Sequence, residues 1–240
     1  MYLGHPDRAL ALSEAAVALA KRVEHPVSLA LALFWAGLVH FERGETDRMR
    51  ERAGEVVDLA ERLGFPMFLG AGKVFRGWAR VELGEAEAGL AEMQQAMVEL
   101  ARIGSGIGAP HILVMLAESL RKVGRHDEAL AALGLGVAHA EQHGEHNADA
   151  ELHRLRAEIL LEMDDNAVEE AAALFHQSLE IARRQEAKAF ELRAATSLAR
   201  LWQPYWLLEP SGSALRAIPR STGRLTRIRD APRTPQCPCA

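Results

Sequence analysis

The stretch LAESLRKVGRHDEAL, residues 116–130, contains the pattern that decides the fold. Its small residue Ala117 is followed seven positions later by Gly124, and an acid-led helical pattern starts directly after that glycine. Glycine recurs at the same slot every 40 residues, at Gly4, Gly44, Gly84 and Gly124, and a second set of turns falls half a period away. A period of this length, with a turn about every 20 residues, predicts a solenoid of helix pairs.

Small residues fill the slot seven positions before each repeating turn, at Gly37, Gly77, Ala117 and Ala157. A small side chain at this slot lets two helix backbones approach closely. Acidic residues lead the helix after each turn, where they complement the positive end of the helix dipole. Prolines fall at expected helix starts, where the missing N–H costs nothing, at Pro6, Pro26, Pro66 and Pro110.

The pattern predicts an all-α fold, a right-handed solenoid of about five antiparallel helix pairs with a 40-residue period. Helices that precede the repeating turn (A helices) are predicted over residues 27–43, 67–83, 110–123, 147–163 and 187–203. Helices that follow it (B helices) are predicted over residues 6–23, 46–63, 86–103, 126–143 and 167–185. The chain thus opens on a B helix, with Met1-Tyr2-Leu3 as the stub of a further A helix, and we expect apolar surface at this end.

The composition favours a helical, cytoplasmic protein. Hydrophobic residues make up 49% of the 240 residues, and no apolar run reaches the ~18 residues that a membrane span requires. The start of the chain lacks the basic and apolar regions of a secretory signal. Both cysteines, Cys237 and Cys239, lie at the C-terminus, so no disulfide framework is expected in the repeats.

Charge divides the chain at residue 203. Residues 1–203 carry 22 basic and 31 acidic side chains, and an acidic body of this kind is a poor binder of nucleic acid. Residues 204–240 carry six arginines, two acids and six of the ten prolines, without a helical period. We predict a helical-repeat domain over 1–203 and a disordered Arg/Pro-rich tail over 204–240, out of frame or truncated. The alternative is a genuine basic tail that binds an acidic partner.

The repeating row of small residue, glycine and Ala-Leu resembles the tetratricopeptide repeat, although its 40-residue period exceeds the usual ~34. Four segments are similar to the C-terminal helical-repeat region of large bacterial signalling proteins: residues 31–37, 76–79, 152–161 and 181–202. Those proteins join an adenylate/guanylate cyclase or other effector domain to an AAA-type ATPase module. The resemblance covers residues 2–203 and implies a regulatory or interaction arm, with the chemistry in domains upstream of it. It transfers no catalytic residue to this chain.

In the ordinary tetratricopeptide register, the A helices line a concave groove that binds a protein or peptide. Its predicted apolar end contains Phe34, Leu38, Phe41, Val74, Trp78, Val81 and Val114. Its predicted charged end contains Glu118, Arg121, Arg154, Glu158 and, beside them, Leu161. An extended or helical peptide with an apolar anchor and a charged flank suits such a groove. In the alternative interpretation these aromatic and aliphatic residues are core between repeats, because the register could rotate by one residue.

Other residues with chemical potential are interpreted as structural. His139 and His143 share a helix face at a spacing that metals use, but no cysteine accompanies them, so a solvated face is favoured over a zinc site. The glycine-rich stretch 104–108 follows a helix rather than a strand, which indicates a loose linker and not a nucleotide loop. We find no catalytic constellation and expect neither cofactor nor metal.

The expected function is therefore that of a non-catalytic protein-interaction or regulatory arm, a fragment of a larger signalling ATPase or nucleotide cyclase. One alternative is a small-molecule sensor, in which the groove binds an effector that biases an attached domain. A second alternative is a gene fragment without a function of its own. No membrane association is expected from the composition.

Overall fold

The computed structural model describes residues 2–104, 106 and 108–207, and this part of the chain is helical throughout, without a strand. Its elements are α1 (Pro6–Arg22), α2 (Pro26–Arg43), α3 (Thr46–Leu63), α4 (Pro66–Glu82), α5 (Ala86–Arg102), α6 (Ala109–Lys122), α7 (His126–His143), a 3-10 turn (His146–Ala148), α8 (Asp149–Met163), α9 (Val168–Arg184) and α10 (Lys188–Leu207). The predicted all-α class is confirmed. None of these helices combines the length and the apolar character that crossing a membrane requires.

Nearly every helix begins and ends within two residues of its predicted bounds. The exception is α10, which runs through Pro204 to Leu207, so its last four residues lie in the predicted tail. The contacts within the chain separate two units, Met1–Leu201 and Trp202–Ala240, and the packing described below belongs to the first. The predicted disorder of residues 208–240 falls outside the described residues.

The repeating glycines end helices because they adopt a left-handed backbone conformation. Gly44 has φ 67°, its N–H donates to the carbonyl of Phe41, and the N–H of Glu45 donates to the carbonyl of His40. These two bonds form a Schellman motif, which satisfies carbonyls that the last helical turn leaves without a partner. The same pair of bonds recurs at Gly84 and Gly124, and this explains the 40-residue spacing of the glycines.

Consecutive helices pack against each other, and the even-numbered helices also pack on one another, α2 on α4, α4 on α6 and α6 on α8. The connections between helices are short, so successive helices run antiparallel. Buried side chains from α1 to α8 join in one hydrophobic cluster, in which Phe75 and Met49 are fully enclosed. This cluster is the main hydrophobic core of helices α1 to α8.

The small-residue slot permits the predicted close approach of helices. A Cβ atom at Gly77 would lie 2.6 Å from the carbonyl oxygen of Gly89, a separation that real Cβ atoms essentially never show. A Cβ atom at Gly37 would lie 2.6 Å from the ring of Phe75. Ala117, at the equivalent slot, is fully buried. Larger side chains at this slot would therefore force the helices apart.

Candidate functional site

The apolar residues of the predicted groove lie in the hydrophobic core. All of them are less than a tenth exposed: Phe34, Leu38, Phe41, Val74, Trp78, Val81 and Val114. The rings of Phe41 and Trp78 pack edge to face with centroids 5.2 Å apart. This placement matches the alternative interpretation of core between repeats, because all seven side chains belong to one hydrophobic cluster. Partner binding by these residues stays a prediction.

The charged residues of the predicted groove are brought together around Arg154. One guanidinium nitrogen, Nη1, lies 2.7 Å from Glu158 Oε1, and the other, Nη2, lies 2.8 Å from Glu151 Oε2. Glu118 Oε1 is 3.8 Å from Nη2, and Arg121 approaches Glu158 Oε2 at 2.7 Å. Together with Glu42 and Arg193, described next, these residues are named the central charge cluster.

Arg193 brings α10 into the central charge cluster. Its Nη1 lies 2.7 Å from Glu42 Oε2 on α2 and 3.3 Å from Glu151 Oε2 on α8. Its Nη2 donates a 2.8 Å hydrogen bond to the carbonyl oxygen of Glu42. Both carboxylates are deeply buried, with 3% and 4% of their side chains exposed. The cluster thus connects α2, α8 and α10, and Glu42, Glu151 and Arg193 were not among the predicted site residues.

Residue 2 also contacts α10, near the central charge cluster. The Tyr2 hydroxyl lies 2.7 Å from His111 Nε2, and the Tyr2 ring packs on Phe190 at 4.7 Å between centroids. The backbone N–H of Ala189 donates to the Tyr2 carbonyl at 3.1 Å. Burial lowers the pKa of His111 to about 4 and raises the pKa of Tyr2, so both groups are neutral at pH 7.

Burial sets the protonation of the cluster. Although 32% of the Glu118 side chain is accessible, its carboxyl group is crowded by protein, and burial raises its pKa to about 7 against the attraction of Arg154. Burial also raises the pKa of Glu42, where Arg193 opposes the shift. Burial alone would also raise the pKa of Glu158. The positive charge of Arg154 and a hydrogen bond from Ser197 outweigh burial, so the pKa of Glu158 is lowered. Within the cluster, the pKa is thus raised at Glu118 and Glu42 and lowered at Glu158.

A cleft of about 630 Å³ opens among α2, α4, α5, α6 and α7. Its walls are apolar and include Phe34, Phe68, Met97, Leu100, Ile112 and Leu113. At its rim, Leu31, Trp35 and Leu135 are 47%, 48% and 63% exposed. We name this surface the apolar cleft. Large apolar side chains that face water together around a concave surface are typical of a binding site.

The apolar cleft has one polar end, formed by His139, His143 and Glu145. The Glu145 carboxylate accepts a 3.2 Å hydrogen bond from the N–H of Gly108, at the start of α6, and lies 3.6 Å from His139 Nε2. That nitrogen is buried and has no hydrogen-bond partner. The two imidazole rings lie with their centroids 4.3 Å apart and their planes tilted by 36°. Among the residues that the structure describes, no group of three or more potential ligands could hold a metal ion.

This geometry corrects two sequence interpretations. His139 was expected on a solvated face, but only 17% of its side chain is exposed because it packs on the backbone of Gly106. A Cβ atom at Gly106 would lie 2.6 Å from His139 Cε1, so the described part of the glycine-rich stretch is a close packing surface rather than a loose linker. Residues 105 and 107 lie outside the described residues. The spacing of His139 and Gly106 along the chain gave no sign of this contact.

A second apolar surface lies on α1, where Leu12, Ala16 and Leu19 are exposed. We name it the α1 outer face. The residues 80 positions later are Glu92 and Glu99 on α5, and both pair with α4: Glu92 with Arg76 and Arg80, Glu99 with Lys73. In α5, therefore, the corresponding surface is covered by α4, the helix that precedes it.

No protein-family model matches the chain. The sequence is similar to an uncharacterized protein of Rhizobium meliloti (strain 1021), with 29% identity over 185 residues. The match covers 77% of this chain and 18% of the relative, so the chain spans less than a fifth of the relative's length. The similarity indicates that a region of this kind occurs within a much longer polypeptide, and it assigns no activity.

Proposed function

We propose that the described helices form a right-handed, tetratricopeptide-like solenoid that serves as a non-catalytic interaction arm of a larger cytoplasmic signalling protein. The class of parent protein is the one that the sequence resembles, in which a cyclase or other effector domain accompanies an AAA-type ATPase module. The 40-residue spacing of Schellman turns, the contacts between even-numbered helices and the greater length of the Rhizobium relative support this proposal.

The observation that carries the proposal is the α1 outer face. Leu12 and Leu19 are 61% and 50% exposed, whereas Leu59, which holds the slot of Leu19 in α3, is buried. Burying an exposed leucine side chain contributes about 1.5–3 kcal/mol. A surface that repeats the helix-covered faces of α3 and α5, with Leu12 at the slot of Arg52 and Glu92, fits an amphipathic helix. We assign this role to an A-type helix from a flanking segment of the parent protein.

A grafted helix tests this assignment without an unknown partner. A copy of residues 25–41, which span most of α2, is fused directly before Tyr2 in place of Met1. In the 40-residue register this graft places Tyr2 at the slot of Glu42 and Gly4 at the slot of Gly44. We expect the melting temperature to rise by roughly 3 °C or more, since 1 kcal/mol shifts the melting temperature of a domain of this size by about 2–4 °C.

The matched control carries Leu12→Glu and Leu19→Glu in the same fusion. Charges on the α1 outer face oppose docking of the graft, so the rise should disappear, while the same substitutions in the unfused chain should change stability by less than about 1 kcal/mol. Hydrogen exchange of the grafted amides gives a second readout. Unprotected grafted amides together with an unchanged melting temperature would refute the α1 outer face as a helix-docking surface.

A second candidate function, small-molecule sensing, is favoured by the apolar cleft. Its volume of about 630 Å³ lies within the range of ligand pockets, about 300–1,000 Å³. An effector bound there would contact α2, α4, α5, α6 and α7 at once. Its binding would bias the state of a domain attached to these helices in a parent protein. Thermal stabilisation by a metabolite, in the absence of any protein partner, would distinguish this function from that of the interaction arm.

A further inference from the structure

We propose that the apolar cleft is a binding site for a small amphipathic cation, an apolar chain or ring system that carries an ammonium head. This proposal goes beyond the interaction role of the α1 outer face and does not depend on it. It rests on three properties of the apolar cleft: its apolar walls, the single charged side chain among its described lining residues, and the hydrogen-bonding groups at its polar end.

The walls account for the apolar part of the ligand. Aromatic, methionine and aliphatic side chains from five helices surround the apolar cleft, and the helices that carry them are held by the same core. Phe34 and Phe68 are buried, whereas Trp35 at the rim is about half exposed. An apolar ligand would remove both the walls and the rim from water, and the free-energy gain scales with the apolar area buried.

The charge at the polar end of the apolar cleft determines which head group of a ligand binds there. Among the described residues that line the apolar cleft, Glu145 alone carries a full charge, and neither lysine nor arginine is present there. The N–H of Gly108, at the start of α6, donates a hydrogen bond to this carboxylate and holds it in place. A carboxylate in an apolar surrounding attracts a cation strongly and repels an anionic head. The site therefore favours an ammonium group over a carboxylate or phosphate.

The imidazole of His139 supplies a second acceptor beside the carboxylate. Its Nε2 is buried without a hydrogen-bond partner and lies 3.6 Å from Glu145 Oε2. A buried polar atom without a partner costs free energy, which a ligand N–H placed between the two groups would recover.

The test uses a matched series of octyl compounds, octylammonium, 1-octanol and octanoate, titrated into the full chain at pH 8. Binding is followed by calorimetry and by tryptophan fluorescence, because Trp35 lies at the rim. We expect octylammonium to bind at least tenfold more tightly than octanoate, with 1-octanol between them. Octanoate binding as tight as octylammonium, or no binding of any of the three at millimolar concentration, would overturn the proposal; the latter result would favour a polypeptide occupant.

Two variants and a control make the result specific to the apolar cleft. Glu145→Gln should reduce the preference for octylammonium over 1-octanol to within about twofold and leave 1-octanol binding intact. Glu141→Gln removes an exposed carboxylate near the end of α7 that does not line the apolar cleft, and should change nothing. Ala138→Trp fills the apolar cleft from an exposed position and should abolish binding of all three compounds while circular dichroism stays unchanged. A preference that survives Glu145→Gln would contradict the assigned role of Glu145.

Discussion

The apolar cleft and the central charge cluster both use residues of α2 and α6. Each holds side chains in an environment that their residue type usually avoids, but the two cases are opposite. The apolar cleft leaves Trp35 and Leu135 facing water, whereas the central charge cluster buries Glu42 and Glu151. Exposed apolar side chains cost little stability and remain available to a ligand. Buried charges are costly when unpaired, so their value depends on complete pairing. The apolar cleft is thus suited to binding a ligand, whereas the central charge cluster is suited to holding α2, α8 and α10 together.

The largest effect is expected from breaking the centre of the charge cluster. Arg154→Met would leave Glu151 without its closest cation and Glu158 with only one of its two arginines, and losing one partner of a buried ion pair costs about 3–5 kcal/mol. Urea denaturation at pH 7 measures the loss. Arg156→Met is the matched control, since Arg156 lies on the same helix, is 49% exposed and only approaches Glu170 at 3.9 Å. Equal losses in both variants would show that the pairing of Arg154 has no special importance.

A smaller loss is expected from releasing α10. Arg193→Ala removes the contacts to Glu42 and Glu151 but keeps Arg154 beside Glu151, so we expect about 2–3 kcal/mol. Hydrogen exchange should show faster opening of the first turns of α10 than of α6. Arg200→Ala, at an exposed position of α10, provides the comparison and should leave exchange unchanged.

Replacing Glu118 should change the pH dependence more than the fold. Folding raises the pKa of Glu118 from an ordinary 4.5 to about 7, so its contribution to stability is fully present below pH 4.5 and is lost as the pH rises through 7. Glu118→Gln cannot ionise, so it should be more stable than the wild type at pH 8, by about 2 kcal/mol. The two proteins should converge near pH 4.5. Chemical denaturation across pH 4.5–8 measures the difference, and a constant difference at all pH values would contradict this origin.

The smallest effect on stability is expected at the rim of the apolar cleft. Trp35→Ala removes a half-exposed side chain, so the free energy of unfolding should fall by about 1 kcal/mol or less. Octylammonium binding should nevertheless weaken about tenfold. Val98→Ala, at a similarly exposed position outside the apolar cleft, should affect neither quantity. A large loss of stability in Trp35→Ala would place Trp35 with the core rather than with the binding surface.

The sequence predicts local features of this fold well because they repeat. The helix bounds and the close approach at Gly77 follow from turns and small residues at fixed spacing, and each is reinforced by equivalent slots. The spacing of apolar residues does not determine whether Phe34 or Trp35 is the buried side chain. Neighbouring residues of a helix point about 100° apart, and a hydrophobic stripe is wide enough to accept either. The structure leaves Trp35 48% exposed and Phe34 6% exposed.

The central charge cluster could be predicted only in part, because its partners are far apart in the chain. Arg121, Arg154 and Glu158 share the expected groove, but Arg193 and Glu42 are separated by 151 residues. The slot of Glu42 holds glutamate or lysine in the next three repeats, at Glu82, Lys122 and Glu162, so the sequence does not distinguish it from an exposed charge. Its burial depends on where α10 lies, and periodicity within neighbouring repeats does not determine that.

The contact between Arg193 and Glu42 restricts how a gene for this protein can change in length. Duplicating one 40-residue unit between α2 and α10 would carry the two charges apart and leave the buried Glu42 carboxylate without its partner. Deleting one unit would do the same, whereas units added before α1 would leave the contact intact. Recombination is therefore expected to keep the internal number of units constant and to concentrate gains and losses outside this interval.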